Sequence, residues 1–422
     1  MDVKKFGAKG DGETDDSAAI GKAFSESDGS LFFGRGSYLI TRPIEIELSA
    51  TGCMAIYGEG PARIIMKGSG PAVRIVGTHM RNASPENISE GVWERERMPV
   101  VRGLEITGGH PEADGIEIAG TMQAVLSGLL IRNCRHGIHV ARHNRNLIIH
   151  SCHVYNNSGC GIYFDGVNIH QANVANSHVS YNRRGGIKVC DSEIRNLQIV
   201  GNDIEYNYSD ESEESADVWF DISRGAIREG TIAGNTIQAV QSPGGANIRM
   251  AGPGREASRK VGFFSISGNL ISGQENNIHL RYVRGVAISG NSFHSGYKKS
   301  ILAEYSSNIA VGSNIFDNNP DYGNKPHNGI LLDNCRGCTL CGFHFSDAGG
   351  EAVVEVKDSS EINMTGCQVL NPENTAVFLK NSSNCRVSGC LIAGKKKPGR
   401  TGEPVKVEGG ENNDVSGNLN SF

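Results

Sequence analysis

Apolar and polar residues alternate in short bursts along this chain, and one burst recurs. Gly115-Ile116-Glu117-Ile118 sets two apolar side chains on either side of a polar one. The order returns as Gly137-Ile138-His139-Val140, Gly161-Ile162-Tyr163-Phe164 and Gly186-Ile187-Lys188-Val189. Looser copies start at Val218, Ile248, Ile278, Ile301, Ile330, Val354 and Val377, so successive copies begin 22 to 31 residues apart. Alternation with period two is the mark of a strand with one face in a core. A strand this short cannot bury that face by itself. A repeat of this length therefore stacks, each copy covering the next, and the pattern predicts a solenoid.

A second phrase keeps the same register. It reads Ile199-Val200-Gly201-Asn202, Ile232-Ala233-Gly234-Asn235, Ile266-Ser267-Gly268-Asn269 and Ile288-Ser289-Gly290-Asn291, with variants ending at Asn314 and Asn418. Gly accepts the positive φ of a sharp corner. Asn beside it can bond the backbone of neighbouring coils as a stacked ladder. The expected coil is strand, corner, strand, Asn corner, strand and loop. That is an all-β, right-handed parallel β-helix of about 12 coils, closed by an N-terminal capping helix.

The expected organisation is a single domain over residues 1–422, since solenoid coils touch only their neighbours. Residues 1–43 form the cap segment, 44–110 irregular first coils and 111–422 regular coils. Asp15 or Asp16 can cap a helix with apolar positions at Ala18, Ala19, Ile20, Ala23 and Phe24. Residues 81–98, a charged stretch around Trp93, read as a long loop, and Lys395-Lys396-Lys397 as a solvated turn.

The opening residues resemble the start of the pectate-lyase-like β-helix superfamily. Its Phe-Gly-Ala-x-Gly-Asp-Gly-x-x-Asp-Asp-x-x-Ala-Ile string is matched from Phe6 to Ile20, and a Gly-x-Tyr-x-Ile string from Gly36 to Ile40. The Pro usual before that turn is missing, with Gly34 near its place. The resemblance implies the fold. It does not choose among the hydrolases, lyases, epimerases and phage tailspikes that share it. The Asn-x-Asp, Asp-Asp, Gly-His-Gly and Arg-x-Lys motifs of polygalacturonases are not found on the strands. The Asp-Pro-His-Glu of alginate epimerases is absent, and the acidic Ca²⁺ cluster of pectate lyases is not evident.

Gly makes up 55 of 422 residues, which suits a fold with several corners per turn. The net charge of -5 argues against a general nucleic-acid binder. No apolar run reaches the roughly 20 residues of a membrane helix. No signal peptide is visible, but a mature segment behind a new Met1 would read the same; a secreted or periplasmic place follows if a leader was removed. Eleven Cys form no disulfide pattern. Cys335-x-x-Cys338-x-x-Cys341 lacks the His or second Cys pair of a zinc site. The better reading is buried thiols, with Cys338 and Cys385 in one inward slot and Cys367 and Cys390 in one corner slot. No cofactor is expected; Ca²⁺ on the acidic run Asp210 to Glu214 is the weaker reading against a solvated loop.

The polar residue inside each phrase points outward, and so does the residue after it. Stacking at about 4.8 Å then lines up Glu117, His139, Tyr163, Lys188, Trp219, Arg249 and His279 in one column, and Asp165, Asp221, Arg281 and Glu304 in the next. Insertions cluster around this stretch, at 206–216 before the strand and at 165–171, 221–229 and 251–261 after it, and make a trough. A plain structural face would show Ser, Thr and Asn. Aromatic rings here suit sugar faces, and cations suit carboxylates or sulfates.

The expected function is cleavage of a polysaccharide, anionic in character, by β-elimination. Lys188, Tyr163 or His139 would be the base and Arg249 or Arg281 the neutraliser of the substrate carboxylate, with Trp219, His279 and Glu304 also binding. The alternative is hydrolysis or glycosyl transfer by Asp165 and Asp221, expected about 9.6 Å apart at Cα, near the top of the roughly 6.5–9.5 Å carboxyl spacing of inverting enzymes. A non-catalytic, tailspike-like glycan binder is the other class. A polysaccharide or oligosaccharide is the expected partner, without nucleic acid or membrane, and the protein itself is expected to be a monomer or a homo-oligomer such as a trimer.

Overall fold

The computed structural model describes residues 1–80, 85–317, 319, 321, 323, 327–394 and 402–421. Lys395-Lys396-Lys397 and part of the 81–98 stretch lie outside them. The chain divides into two compact units, Met1–Tyr208 and Ser209–Phe422. Both are built from parallel strands wound as right-handed coils.

In the first unit the recurring phrase forms the strands Ala113–Met122, Ile138–His150, Ile162–Ala175 and Ile187–Cys190. They pair in parallel with the expected register, Ile116 opposite Ile138, Ile138 opposite Ile162 and Ile162 opposite Ile187. Ile118, Val140, Phe164 and Val189 stack beside them, and all are fully buried. Each such side chain removed from water contributes about 1.5–3 kcal/mol, which makes the bore the source of stability. The first corner is smoother than expected. In the coils at Ile138 and Ile162 the first two strands run on as one bent strand, with a bulge between Ala141 and His143.

A second sheet of short strands closes each coil. Eight of them lie in the first unit, from Asp11–Asp15 to Asp203–Glu205, and eight in the second, from Thr236–Gln238 to Leu419–Ser421. Among the described residues these strands make sixteen coils, against the expected dozen. The excess comes from the first coils, such as those at Gly36–Ile40 and Ala62–Met66, whose phrases are too irregular to count by pattern.

The corners work by two kinds of glycine. Gly201, Gly234, Gly268 and Gly290 have φ of 68°, 63°, 65° and 68°, the left-handed region that favours glycine. The glycine opening the first phrase is needed for closeness instead. A Cβ on Gly115 would sit 2.3 Å from the Gly137 carbonyl oxygen, and one on Gly137 would sit 2.4 Å from Val154. The Asn ladder is present in the second unit, where the side-chain amide of Asn235 donates to Asn269, Asn269 to Asn291 and Asn291 to Asn314. The first unit has another that the phrase did not reveal: Asn157 donates to Asn182 and Asn182 to Asn207, both at 2.8 Å.

The matched opening string folds tightly. The helix Ser17–Ser25 buries Ile20 and Ala23. Asp15 accepts from the Ser17 backbone N–H at 3.0 Å, and Asp16 accepts from Lys9 and Gly10 instead of the helix. Tyr38 is buried and donates to the Gly34 carbonyl at 2.8 Å. Farther on, Ile88, Val92 and Met122 pack together with Trp93 against them. Buried Glu96 accepts from both the N–H and the hydroxyl of Thr78, so the described part of the charged stretch is pinned to the coils.

The cysteines are free. Cys335, Cys338, Cys367, Cys385 and Cys390 are all buried, and the strand register places Cys367 beside Cys390 in adjacent coils. Among the described residues no three His, Cys, Asp or Glu side chains are grouped to hold a metal ion. No helix among them is long and apolar enough to cross a membrane.

Candidate functional site

The outward column of the first unit is longer than the phrase foretold. Register places Glu45 beside Arg74, Arg74 beside Glu117, Glu117 beside His139, His139 beside Tyr163 and Tyr163 beside Lys188. Asp165 follows Tyr163 by two residues on the same strand and pairs with Ala141 on one side and Cys190 on the other. Strand alternation turns all these side chains away from the bore.

His139 sits between two carboxylates. Its Nε2 is 3.2 Å from Asp165 Oδ2, and its buried Nδ1 is 3.7 Å from Glu117 Oε2, a charge contact longer than a hydrogen bond. Glu117 is held in turn by Arg74 Nε at 3.0 Å, and Arg74 also reaches Glu45 at 3.0 Å. Burial pulls the His139 pKa down, but the Glu117 and Asp165 carboxylates outweigh it and leave the imidazole above its ordinary 6.5. Contact with His139, then with Arg74, keeps Glu117 below its usual range.

Tyr163 completes the cluster. Its hydroxyl donates to Asp165 Oδ1 at 3.2 Å, and its ring stacks on His139 with centroids 5.6 Å apart and planes 13° apart. Burial first, and the Asp165 charge second, push its pKa upward, so the phenol stays un-ionised. A phenol held un-ionised is placed to give a proton, the other half of the exchange from the base role expected of it.

His136 was not foreseen. It stacks on Tyr163 with centroids 4.9 Å apart and also lies against His139, at 5.8 Å, so the three rings form a triangle. Burial lowers its pKa to about 4, and its Nδ1 accepts from the Cys160 backbone N–H at 3.1 Å. A Cβ on Gly159 would lie 2.8 Å from this ring, so only glycine leaves room for it. The available signal was its place just before the recurring Gly137. Arg74 had a signal too, since Val73-Arg74-Ile75 is an alternating triplet.

The second unit carries the rest of the expected residues. Register places Trp219 beside Arg249, Arg249 beside His279 and His279 beside Leu302, with Asp221, Ala251, Arg281 and Glu304 in the adjacent column. Here the outward face is partly covered. Trp219 and Arg249 are only 7% and 6% exposed. Trp219 packs with Ala216 and Ala246. Arg249 Nη1 donates to Glu214 Oε1 at 2.9 Å, and Nη2 donates to the Gly244 carbonyl. Two expectations are corrected. Arg249 does not stand open to neutralise a substrate carboxylate, and Trp219 offers no bare ring to a sugar, because the inserted 206–216 segment supplies Glu214 to cover this part of the column. The same contact takes one carboxylate of the acidic run Asp210 to Glu214. His279 Nε2 is 2.8 Å from Glu304 Oε2, which keeps Glu304 below its usual pKa range. Arg281 is exposed, and Asp221 is half-buried within the field of Arg249. Asp165 and Asp221 thus stand in different units, each in the outward column of its own.

Within the first unit, then, a carboxylate-oriented imidazole and an un-ionised phenol share one carboxylate, with a lysine on the next rung. That set can remove a proton from one point and deliver one to another.

A family model described as right-handed β-helix region matches residues 64–220 and 223–392. A second, described as rhamnogalacturonase A/epimerase, pectate lyase-like, matches residues 1–91. No curated protein matches the sequence. Among solved structures, the A-module of the Azotobacter vinelandii mannuronan C-5 epimerase AlgE6 is similar at a TM-score of 0.51 and 16% identity, over 99% of this chain and 98% of that one. The pre-mature gene product 12 of bacteriophage phi29 gives 0.57 at 14% identity, over 93% of this chain and 52% of that one. The Dettilon tailspike protein gives 0.52 at 14% identity, over 96% and 68%. At these identities the likeness is one of fold.

Proposed function

The chain belongs to the right-handed β-helix family, and from that premise we propose that it is a carbohydrate-active enzyme that cleaves a uronic-acid polysaccharide by β-elimination in its first unit. The observation that carries the reading is His139 held between Glu117 and Asp165, with the Tyr163 hydroxyl on the second oxygen of Asp165.

In the proposed step Glu117 orients His139, and Nε2 takes the C5 proton next to the substrate carboxylate. Asp165 yields its contact with Nε2 to the substrate and then stabilises the imidazolium. The electron pair moves from C5 to form the C4–C5 double bond, and the C4–O4 bond breaks. Tyr163 gives its proton to the leaving oxygen and recovers one, by way of Asp165, from the His139 imidazolium, which returns to the neutral base. Lys188, the next rung after Tyr163, neutralises the substrate carboxylate, which acidifies the C5 proton. The AlgE6 protein, by its name, acts at C5 of mannuronan, the carbon from which elimination also takes its proton.

A second reading keeps the same first step. An epimerase would return a proton to C5 and leave the chain uncut. Product analysis on a panel of polyuronates separates the outcomes. Elimination gives fragments with an unsaturated, ultraviolet-absorbing end, one water lighter than the hydrolytic fragment. Hydrated fragments alone, altered sugars without cleavage, or an untouched panel would each overturn the elimination reading.

A further inference from the structure

The second unit stacks two tyrosines at a left-handed corner, as the first unit does with Tyr181 and Tyr206. The corner after the second outward column is left-handed, and at successive rungs it holds Tyr282, Tyr305, Asn334, Asp358 and Asn381, with φ of 56°, 50°, 54°, 47° and 48°. Asn and Asp are the ordinary residues of such a corner, and a bulky ring is not. Tyr282 and Tyr305 nonetheless stack here, with centroids 5.3 Å apart and planes 24° apart.

Each ring carries an arginine. The Arg281 guanidinium lies 5.2 Å from the Tyr282 centroid, and that of Arg255 lies 5.2 Å from the Tyr305 centroid. Arg281 and Arg255 come from different segments, the strand Asn276–Arg281 and the inserted turn Arg255–Lys260. Arg255 Nη2 also donates to Asn334 Oδ1 at 3.0 Å, which fixes that turn over the corner. Both arginines are exposed. The carboxylate beside them, Glu304, is already paired with His279 at 2.8 Å.

We propose that Arg255 and Arg281, carried on the stacked Tyr282 and Tyr305 rings, form a paired-guanidinium subsite for the carboxylate of a uronic-acid glycan. A guanidinium held over a ring has lost much of its rotamer freedom, and its planar fork of N–H donors matches a carboxylate. The tyrosines are positioning residues. The proposal rests on the acidic-polysaccharide reading above, but it concerns binding and not the chemical step.

The test is binding by the full chain to polygalacturonate, to polymannuronate, to dextran sulfate and to uncharged dextran. An Arg281→Gln variant should bind the polyuronates about tenfold more weakly, and the Arg255→Gln, Arg281→Gln double variant about a hundredfold, with dextran unchanged. Tyr282→Asn and Tyr305→Asn keep a residue suited to the corner, so they should retain the melting temperature and lose polyuronate affinity by loosening the guanidinia. A double variant within about twofold of wild type on both polyuronates would overturn the subsite while leaving the catalytic reading intact. Wild-type binding to dextran sulfate but to neither polyuronate would overturn the carboxylate assignment. A wild-type chain that binds none of the four would overturn the subsite and the acidic-glycan reading together.

Discussion

Tyr163 and Asp165 lie two residues apart on one strand, and the Tyr163 hydroxyl donates to Asp165 Oδ1 at 3.2 Å while the other oxygen of that carboxylate meets His139. One exposed carboxylate thus couples a phenol to an imidazole. Removing the hydroxyl alone tests the coupling. Tyr163→Phe keeps the ring stack with His136 and His139, so the melting temperature should hold. Cleavage should fall by about a hundredfold or more, the usual loss when a proton donor is removed. Equal rates for the two proteins would remove Tyr163 from the chemistry.

The acidity of His139 fixes a pH profile. Its folded pKa lies above 6.5, so the neutral base appears only as pH rises past that raised value. The rate should climb through an alkaline-shifted limb. Glu117→Gln removes a charge that favours the imidazolium and should move the limb to lower pH, while slowing the reaction by loosening the ring. The linked stability has the opposite sense. The charged pair stabilises the fold fully below the ordinary pKa of His, and that contribution fades as pH rises through the raised one. Titration of the His139 ring by nuclear magnetic resonance reads the shift directly.

Arg249 gives a contrast, because burial assigns it to structure. Arg249→Ala takes away the partner of Glu214 and of the Gly244 carbonyl, together with its packing on Trp219. Glu214 is more than half exposed, so water recovers that charge and the cost stays moderate, about 1–3 kcal/mol. Thermal or urea unfolding should show it. A variant with unchanged stability but lost affinity for acidic glycans would return Arg249 to the binding role that its column position invites.

Asn182 stands in the middle of the first unit's ladder. It accepts from Asn157, donates to Asn207 and bonds the Val154 carbonyl at 3.2 Å. Asn182→Ala leaves several buried polar groups unsatisfied and should destabilise by roughly 2–4 kcal/mol. Asn412→Ala, which removes an exposed ladder contact to Asn384, should cost well under half of that in the same unfolding assay.

What could be read from sequence follows from how each feature is encoded. The bore is written in apolar residues at fixed spacing, so Ile116, Ile138, Ile162 and Ile187 fixed both the winding and the neighbours of His139, Tyr163 and Lys188. The outward direction of Trp219 and Arg249 was legible for the same reason, but their burial was not. It depends on where an inserted loop folds, and the polar 206–216 segment has no period to say so. Glu214 found Arg249 through a contact 35 residues distant in the chain. His136 escaped because it lies outside the alternating triplet, and the Asn157 ladder because its rungs follow no glycine. The irregular first coils hid Arg74, which, after His139, helps hold Glu117 below its usual range.

The central claim is that His139 takes a proton from a bound uronate. The measurement that meets it most directly is the initial rate at which the wild-type chain and its His139→Ala variant release ultraviolet-absorbing unsaturated fragments from polyuronates. The wild type should release them, and the variant should be slower by about 10²–10⁴-fold with its melting temperature retained. Equal rates from the two proteins, or a wild type that yields no unsaturated end on any polyuronate, would contradict it.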